Sequence, residues 1–301
     1  MTDLATIDID QALGFAIPSR SARGRLVRLG PTLDTVLSAH AYPPAIEALL
    51  AEALCLVALV GSTLKDAGGQ LTMQTRSEQG VVQLLVCDYR GGEVRGYVEY
   101  DAGKLAQAPE QPSLFALFGP GYLAITFDLA TTGERYQGIV PLDGETLTEA
   151  VENYFVQSEQ IPTLVRIGIR READGRHVAG GLFLQHLPEG EDGRERLHTR
   201  LDHPEWEHVQ ALGSTTGVDE LADAALTLET LVWRLFNEED DVRILVRTPL
   251  VRGCRCTAEY IASVIAKFSI EERREMADEN GIIAVDCAFC ATKFPVPAAD
   301  A

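Results

Sequence analysis

Four of the six cysteines fall in the last fifth of the chain, as Cys254-Arg255-Cys256 and, thirty residues later, Cys287-Ala288-Phe289-Cys290. Two close pairs that converge make one tetrahedral set of sulfur donors, which constrains the tail more than any other feature. Four thiolates with no histidine near them in sequence suit zinc, a borderline-soft ion that structural sites hold with four ligands and no open position. The tail, 251–301, is too short to bury much core of its own, so its fold is expected to depend on the metal. The first pair is C-x-C rather than the common C-x-x-C. A disulfide between Cys254 and Cys256 would close a small, strained ring that is readily reduced again. Metal-bound thiolates are also the form that oxidants attack. On the residues alone the site is a structural staple, a redox sensor, or both.

The chain has 301 residues, 46% of them hydrophobic, enough for a main domain and something smaller. Met1-Thr2-Asp3-Leu4 lacks the basic start and apolar run of a signal peptide. With cysteines arranged for metal rather than for disulfides, the expected compartment is a reducing cytoplasm. Cys55 and Cys87 lie in apolar surroundings and read as plain buried thiols. The stretch Ala45 to Leu64 is long enough to span a bilayer, but Pro43-Pro44 opens it and Glu47 and Glu52 interrupt it. It is expected to be a buried core helix, not a membrane span. A formal charge of −19 disfavours nucleic acid and anionic membranes as partners. The acid is concentrated in residues 189–250, where 15 acidic residues face 6 basic ones, net −9.

Periodicity divides the chain into an expected core at 1–188, an acidic helical linker at 189–250 and a zinc-binding domain at 251–301. Residues 1 to about 20 read as a loosely held leader. Arg23 to Leu29 alternates like a strand, and Leu71 to Thr75, Val81 to Cys87 and Val94 to Tyr100 read as an antiparallel meander turning at Gly80 and Gly91-Gly92. Tyr122 to Phe127 and Tyr136 to Val140 add two strands. Thr146-x-x-Glu149 is a capping box for a helix reaching about Gln157, and Leu164 to Arg170 with Val178 to Gln185 form a hairpin. The expected fold class is α+β, a mostly antiparallel sheet core with packed helices.

Glu189-Gly190-Glu191-Asp192-Gly193 then breaks the chain, and helical spacing takes over at Trp206, Val209 and Leu212. One further helical run, 219–237, places Leu221, Leu228, Leu231, Val232, Leu235 and Phe236 on one side, ahead of Glu238-Glu239-Asp240-Asp241. This segment reads either as a fixed layer on the core or as a switchable one with an apolar face and an acidic back. In the tail, Thr257 caps a helix with Ile261, Val264, Ile265 and Phe268 inward. Ser269-x-x-Glu272 boxes a second that stops at Asn280-Gly281.

The sequence holds no P-loop, no G-x-S-x-G elbow and no H-E-x-x-H, and no enzymatic activity is expected. The histidines do not pair with the cysteines at ligand spacing, and His198, His203 and His208, in the acidic segment, are expected to be solvated. Cys287-x-x-Cys290 lacks the βαβ setting of a thioredoxin-like motif.

The order of motifs resembles the 33 kDa chaperonin family. The resemblance rests on the C-x-C and C-x-x-C pairs, Gly133-Glu134-Arg135-Tyr136-Gln137-Gly138-Ile139-Val140, Tyr154-Phe155 followed by Ser158-Glu159-Gln160-Ile161-Pro162-Thr163, Ala179-Gly180-Gly181, and Leu231-Val232-Trp233-Arg234-Leu235-Phe236. It spans about Arg23 to Phe294. It implies an ATP-independent holdase chaperone of the bacterial cytoplasm, inactive when reduced with zinc on Cys254, Cys256, Cys287 and Cys290. It also implies disulfides Cys254–Cys256 and Cys287–Cys290 on oxidation, release of zinc, unfolding of switch and linker, binding of unfolded client proteins, and a homodimer in the oxidised state. This chain departs from the pattern in a longer, more acidic linker and in Phe294, where a tyrosine is common. The alternatives are an interaction module with a purely structural zinc site and, third, an oxidoreductase.

Overall fold

The structure, a computed structural model, describes residues 9–66, 68–187 and 203–298. The breaker Glu189–Gly193, His198, the expected linker start and Met1–Leu4 lie outside the described residues. Strands β1 (Gln11–Ile17) and β2 (Ala22–Leu29) lead into helices α1 (Pro31–Leu37) and α2 (Pro44–Gly61). The expected meander follows as β3 (Gln70–Ser77), β4 (Val82–Arg90) and β5 (Glu93–Tyr100). Short helices α3 (Ala102–Leu105) and α4 (Leu114–Phe118) precede β6 (Gly121–Asp128) and β7 (Arg135–Pro141). Helix α5 (Leu147–Tyr154) runs into a π turn, and β8 (Thr163–Arg171) and β9 (His177–His186) form the expected hairpin. Then come α6 (Pro204–Ser214), α7 (Val218–Leu221), α8 (Leu228–Phe236), β10 (Arg243–Pro249), β11 (Val251–Arg252), α9 (Ala258–Ile265), α10 (Ile270–Met276), β12 (Ile282–Asp286) and β13 (Lys293–Pro297).

Among the described residues the strands form three sheets. The first, ordered β10-β1-β2-β9-β8, is antiparallel throughout. The second, β11-β5-β4-β3-β6-β7, is antiparallel except where β11 joins β5 in parallel. The third is the β12–β13 hairpin. The α+β class with mostly antiparallel sheets is as expected.

Helix α2 packs against strands of both large sheets, which is why it is apolar on nearly every side. By length and composition it would cross a membrane, yet 72% of it is buried inside the protein. Its Glu52 is satisfied at the start of α5, accepting from the Thr148 backbone N–H at 2.8 Å and its hydroxyl at 2.7 Å. Burial nonetheless pushes that carboxyl upward.

The first sheet is apolar on both faces, because each strand carries large side chains at both phases of the pleat. Val27, Leu29, Ala179 and Phe183 point to α2. Leu13, Phe15, Ile17, Leu26, Leu182 and Leu184 point outward and are covered by Trp206 and Val209 of α6 and by Leu228, Leu231, Val232 and Phe236 of α8. Phe15 and Phe236 meet with ring centroids 5.6 Å apart. Helix α7 lies against paired glycines, Gly168 of β8 opposite Gly180 of β9. A Cβ on Gly180 would stand 1.9 Å from the Leu221 carbonyl oxygen, and one on Gly168 would stand 2.2 Å from that of Val218.

Several elements differ from the sequence expectations. The expected leader contains β1, an interior strand with Phe15 fully buried; its unbroken apolar run lacks the alternation that marks a half-exposed strand. The single helix expected over 219–237 is two, α7 and α8. Asp223 accepts from the Ala225 N–H and Thr227 caps a fresh helix through the Thr230 N–H, so the local polar groups favour a turn between them. Glu149 accepts from the N–H of Glu145 rather than from that of Thr146, so the expected capping box is only half made. Helix α10 stops at Met276, where Asp278 accepts from the N–H groups of Asn280 and Ile282 and starts the hairpin. Phe268, expected inward, is exposed. Strands β10 to β13 were not anticipated.

Gly180→Ala should loosen the outer helical layer. The clash is with backbone, and overpacking of this kind costs about 1–3 kcal/mol. Amide exchange over 218–236 should quicken roughly tenfold, while the second sheet stays protected; unchanged exchange over 218–236 would show that the glycine seat does not hold the layer.

Candidate metal centre

The two cysteine pairs reach one point from different elements. Strand β11 lies on the edge of β5, and the Gly253 N–H donates to the Val94 carbonyl at 2.9 Å, so Cys254-Arg255-Cys256 leaves the edge of the second sheet. The second pair sits on the turn of the β12–β13 hairpin. There the Cys287 N–H donates to the Thr292 carbonyl at 3.0 Å and Ala291 turns the chain at φ 54°. The sulfurs of Cys254 and Cys256 are 3.1 Å apart, those of Cys254 and Cys287 3.6 Å, and those of Cys256 and Cys290 3.3 Å. All four lie within 4.8 Å of one another, and none is in a disulfide. A zinc ion at its usual distance of about 2.3 Å from each of four sulfurs would set them about 3.8 Å apart, so the donor set fits such an ion.

The protons of these thiols are tied together. Burial pushes Cys256 upward, and the neighbouring sulfurs reinforce the shift; burial also raises Cys287. For Cys290 burial acts in the same direction, but the Thr292 hydroxyl and backbone N–H outweigh it and bring the thiol to about 6. Four negative sulfurs cannot crowd this closely unless a cation neutralises them, so the geometry that gathers the thiols also favours a dication. Cys55 and Cys87 are fully buried, and burial drives both thiols well up. They lie apart from the cluster, as plain core residues.

The residue inside each cysteine pair anchors to the outer face of the second sheet. Arg255 donates to Gln70 Oε1 at 2.6 Å and approaches Glu93 at 3.4 Å. Phe289 lies under the Arg95 guanidinium, 4.0 Å from its ring centroid, with Tyr97 edge-on at 5.0 Å. His40 Nε2 donates to the Ala288 carbonyl at 2.9 Å. None of these partners was singled out from the sequence, since they are brought together only by sheet register.

The helical layer over the first sheet has its own polar fastenings. Arg28, buried on β2, donates to the carbonyls of Leu221 at 3.0 Å, of Glu220 at 3.3 Å and of Leu226, so its cation sits at the C-terminal end of α7. Burial lowers Arg28 to about 10, which leaves it charged near neutrality. Arg20 joins Glu205 at the start of α6 to Glu239 beyond α8, and His208 bonds the second oxygen of Glu239 at 2.6 Å. Of the histidines expected to be solvated, His208 is exposed, but His203 is half-buried and stacks on the buried His186 with ring centroids 4.8 Å apart.

A family model described as Hsp33 protein matches residues 10–296. A 33 kDa chaperonin of Caulobacter vibrioides is 41% identical over 301 residues, covering 96% of this chain and 96% of its own. One of Pseudomonas fluorescens is 36% identical over 303 residues, covering 100% of this chain and 94% of its own. The crystal structure of the 33 kDa chaperonin of Thermotoga maritima matches with a TM-score of 0.77 over 97% of this chain and 96% of that one. At 21% identity that last likeness speaks for the fold alone.

The clasp at Arg20 should make the helical layer sensitive to acid. Glu205 is held low chiefly by its bond from Arg20. In Glu239 burial pushes upward, but the bonds from Arg20 and His208 win and the net shift is down. A carboxyl lowered by folding contributes stability that is present above its unfolded value and is lost as pH falls through its folded one. Exchange of α6 and α8 amides, corrected for intrinsic rate, should therefore rise as pH drops below about 4.3, and Glu239→Gln should flatten that response. A profile identical in the variant would assign the acid sensitivity elsewhere.

Proposed function

The chain belongs to the Hsp33 family, a family of chaperones, and on that premise we propose that it is a redox-regulated, ATP-independent holdase, silent when reduced and zinc-bound. The observation that carries the reading is the gathering of four thiols within 4.8 Å in a tail whose own apolar cluster has only Ile265, Ile283 and Val296 buried. Cys254, Cys256, Cys287 and Cys290 would hold the zinc, which would supply the tail with on the order of 10 kcal/mol of folding free energy. That is comparable with the whole stability of an ordinary domain.

Peroxide is the oxidant in this reading. The thiolates of Cys254 and Cys256, and those of Cys287 and Cys290, give up two electrons per pair as one S–S bond forms, and each peroxide takes those two electrons and two protons from solvent to become two waters. Sulfurs tied in pairs no longer form a ligand set. The tail then lacks the core to stay folded, β11 leaves β5, and the short link from β11 to β10 carries the loss toward the helical layer. Lifting α6 to α8 bares Leu13, Phe15, Leu26, Leu182 and Leu184 on the sheet, together with the helices' own Leu231, Val232 and Phe236, as surface for unfolded client proteins. The acidic residues of 189–250 keep that open surface in solution. Cytoplasmic residence, a homodimer in the oxidised state, and no role for nucleic acid or membrane complete the reading. A core at 1–188, a linker at 189–250 and a switch at 251–301 are its three parts.

Light scattering from a heat-aggregating client tests the switch with three samples: reduced zinc-loaded protein, protein oxidised by peroxide under mild heat, and the latter reduced again with zinc. Suppression should appear mainly after oxidation and fade on reduction. Equal suppression in both states would favour a purely structural zinc site, and turnover of thiols or disulfides would favour an oxidoreductase.

Metal analysis gives a separate check. The reduced protein should carry one zinc per chain, and Cys287→Ser should lose it, together with the ordered tail by amide exchange. Full occupancy in that variant would mean that another ligand completes the site.

A further inference from the structure

The outer face of the second sheet holds a cradle for an aromatic side chain, and the chain's own Phe289 fills it. Arg95 is fixed flat for this contact: Asp88, directly opposite it on β4, pairs with its guanidinium at 2.6 Å, and Thr72 on β3 donates to the other oxygen of Asp88 at 2.7 Å. Asp88 is 3% exposed, so the pair is held dry enough for its geometry to persist. The cation lies over the Phe289 ring while Tyr97 presents an edge to it, and His40 donates to the carbonyl of the residue before it, Ala288. The cradle thus binds two things at once, an aromatic face and the preceding backbone carbonyl. Both belong to any polypeptide chain with an exposed aromatic residue.

The surface continues beyond Phe289 as a groove of about 390 Å³ lined by His40, Tyr42, Tyr97 and Tyr100 and reaching Ala288. The His40 and Tyr42 rings are 5.0 Å apart and those of Tyr42 and Tyr100 6.2 Å. Tyr42 is itself pinned, its hydroxyl bonding both the N–H and the carbonyl of Val98 on β5. Tyr42 is therefore placed by the β5 backbone rather than by its ring neighbours alone.

We infer that this cradle is a client-binding site of the open protein, selective for aromatic residues of unfolded polypeptide, and that Phe289 occupies it as an internal stand-in while the tail is folded. The inference rests on the holdase reading for the nature of its ligand. Phe289 lies between Cys287 and Cys290, so the residue that closes the site belongs to the pair whose oxidation releases it. Aromatic preference follows from the cation: a guanidinium is attracted to the negative face of a ring and gains nothing similar from an aliphatic chain.

The test uses the full, reduced, zinc-loaded chain, so that it needs no oxidation. The probes are two fluorescently labelled, unstructured Gly/Ser-rich peptides, one with Ala-Phe repeats and one with Ala-Leu repeats. Phe289→Ala should bind the Ala-Phe peptide at least about threefold more tightly than the Ala-Leu peptide, whereas the protein with Phe289 in place should bind neither appreciably. Adding Tyr97→Leu or Arg95→Gln to Phe289→Ala should abolish the preference; should Arg95→Gln lose zinc or fold, Tyr97→Leu alone decides. Equal binding of the two peptides by Phe289→Ala, or a preference that survives Tyr97→Leu, overturns the cradle as a client site. Failure of the oxidised protein to suppress aggregation would instead overturn the holdase reading and leave the peptide result interpretable.

Discussion

The outer face of the first sheet must be kept from water, and the arrangement of the molecule follows from how that is done. A sheet with large apolar side chains at both phases of its pleat needs a cover on each side. One cover, α2, is a single long helix locked between two sheets. The other, α6 to α8, consists of three short amphipathic helices whose backs carry acid and face solvent. Burying a leucine- or phenylalanine-sized side chain is worth about 1.5–3 kcal/mol, so Leu228, Leu231, Val232 and Phe236 hold the second cover firmly. It nonetheless has far fewer neighbours to lose than α2 has.

The two covers also differ in how their polar groups are satisfied. Helix α2 needs little beyond its own ladder and the Glu52–Thr148 contact. The outer layer depends on charges supplied by the sheet: Arg28 closes the carbonyls at the end of α7, and Arg20 ties the start of α6 to the end of α8. A buried guanidinium with its carbonyl acceptors removed would carry a desolvation cost of its own, so Arg28 makes partial lifting of α7 unfavourable. Docking of this layer is therefore inclined toward all-or-none behaviour.

The cysteine centre stands at the opposite end of the stability scale. Its tail has a three-residue buried core and rests on the second sheet through Arg255, Phe289 and the short β11–β5 pairing. A module with so little burial of its own leans on the sheet it docks against. The residues that dock it lie inside the two cysteine pairs, so any change in how the sulfurs pair moves the docking residues too.

The four cysteines, the core helix, the meander, the β8–β9 hairpin and the α+β class were legible in the sequence, because each rests on local spacing: ligand pairs, a nearly all-round apolar run, strand period with turn glycines. Family likeness was legible for the same reason, as an ordered string of short motifs. What tertiary structure alone decided was which groups meet. β1 read as a leader because both its faces are buried and it shows no alternation. β10 and β11 gave no signal because an edge strand is defined by its neighbour, and the break between α7 and α8 lies in polar turn contacts hidden beneath a continuous helical spacing. Arg95, Asp88 and Thr72 on three strands, and Phe289 some two hundred residues from its cradle, are joined by register and docking. Contacts at such separation leave no periodic trace, since the energy that forms them comes from surfaces that exist only once the sheets are assembled.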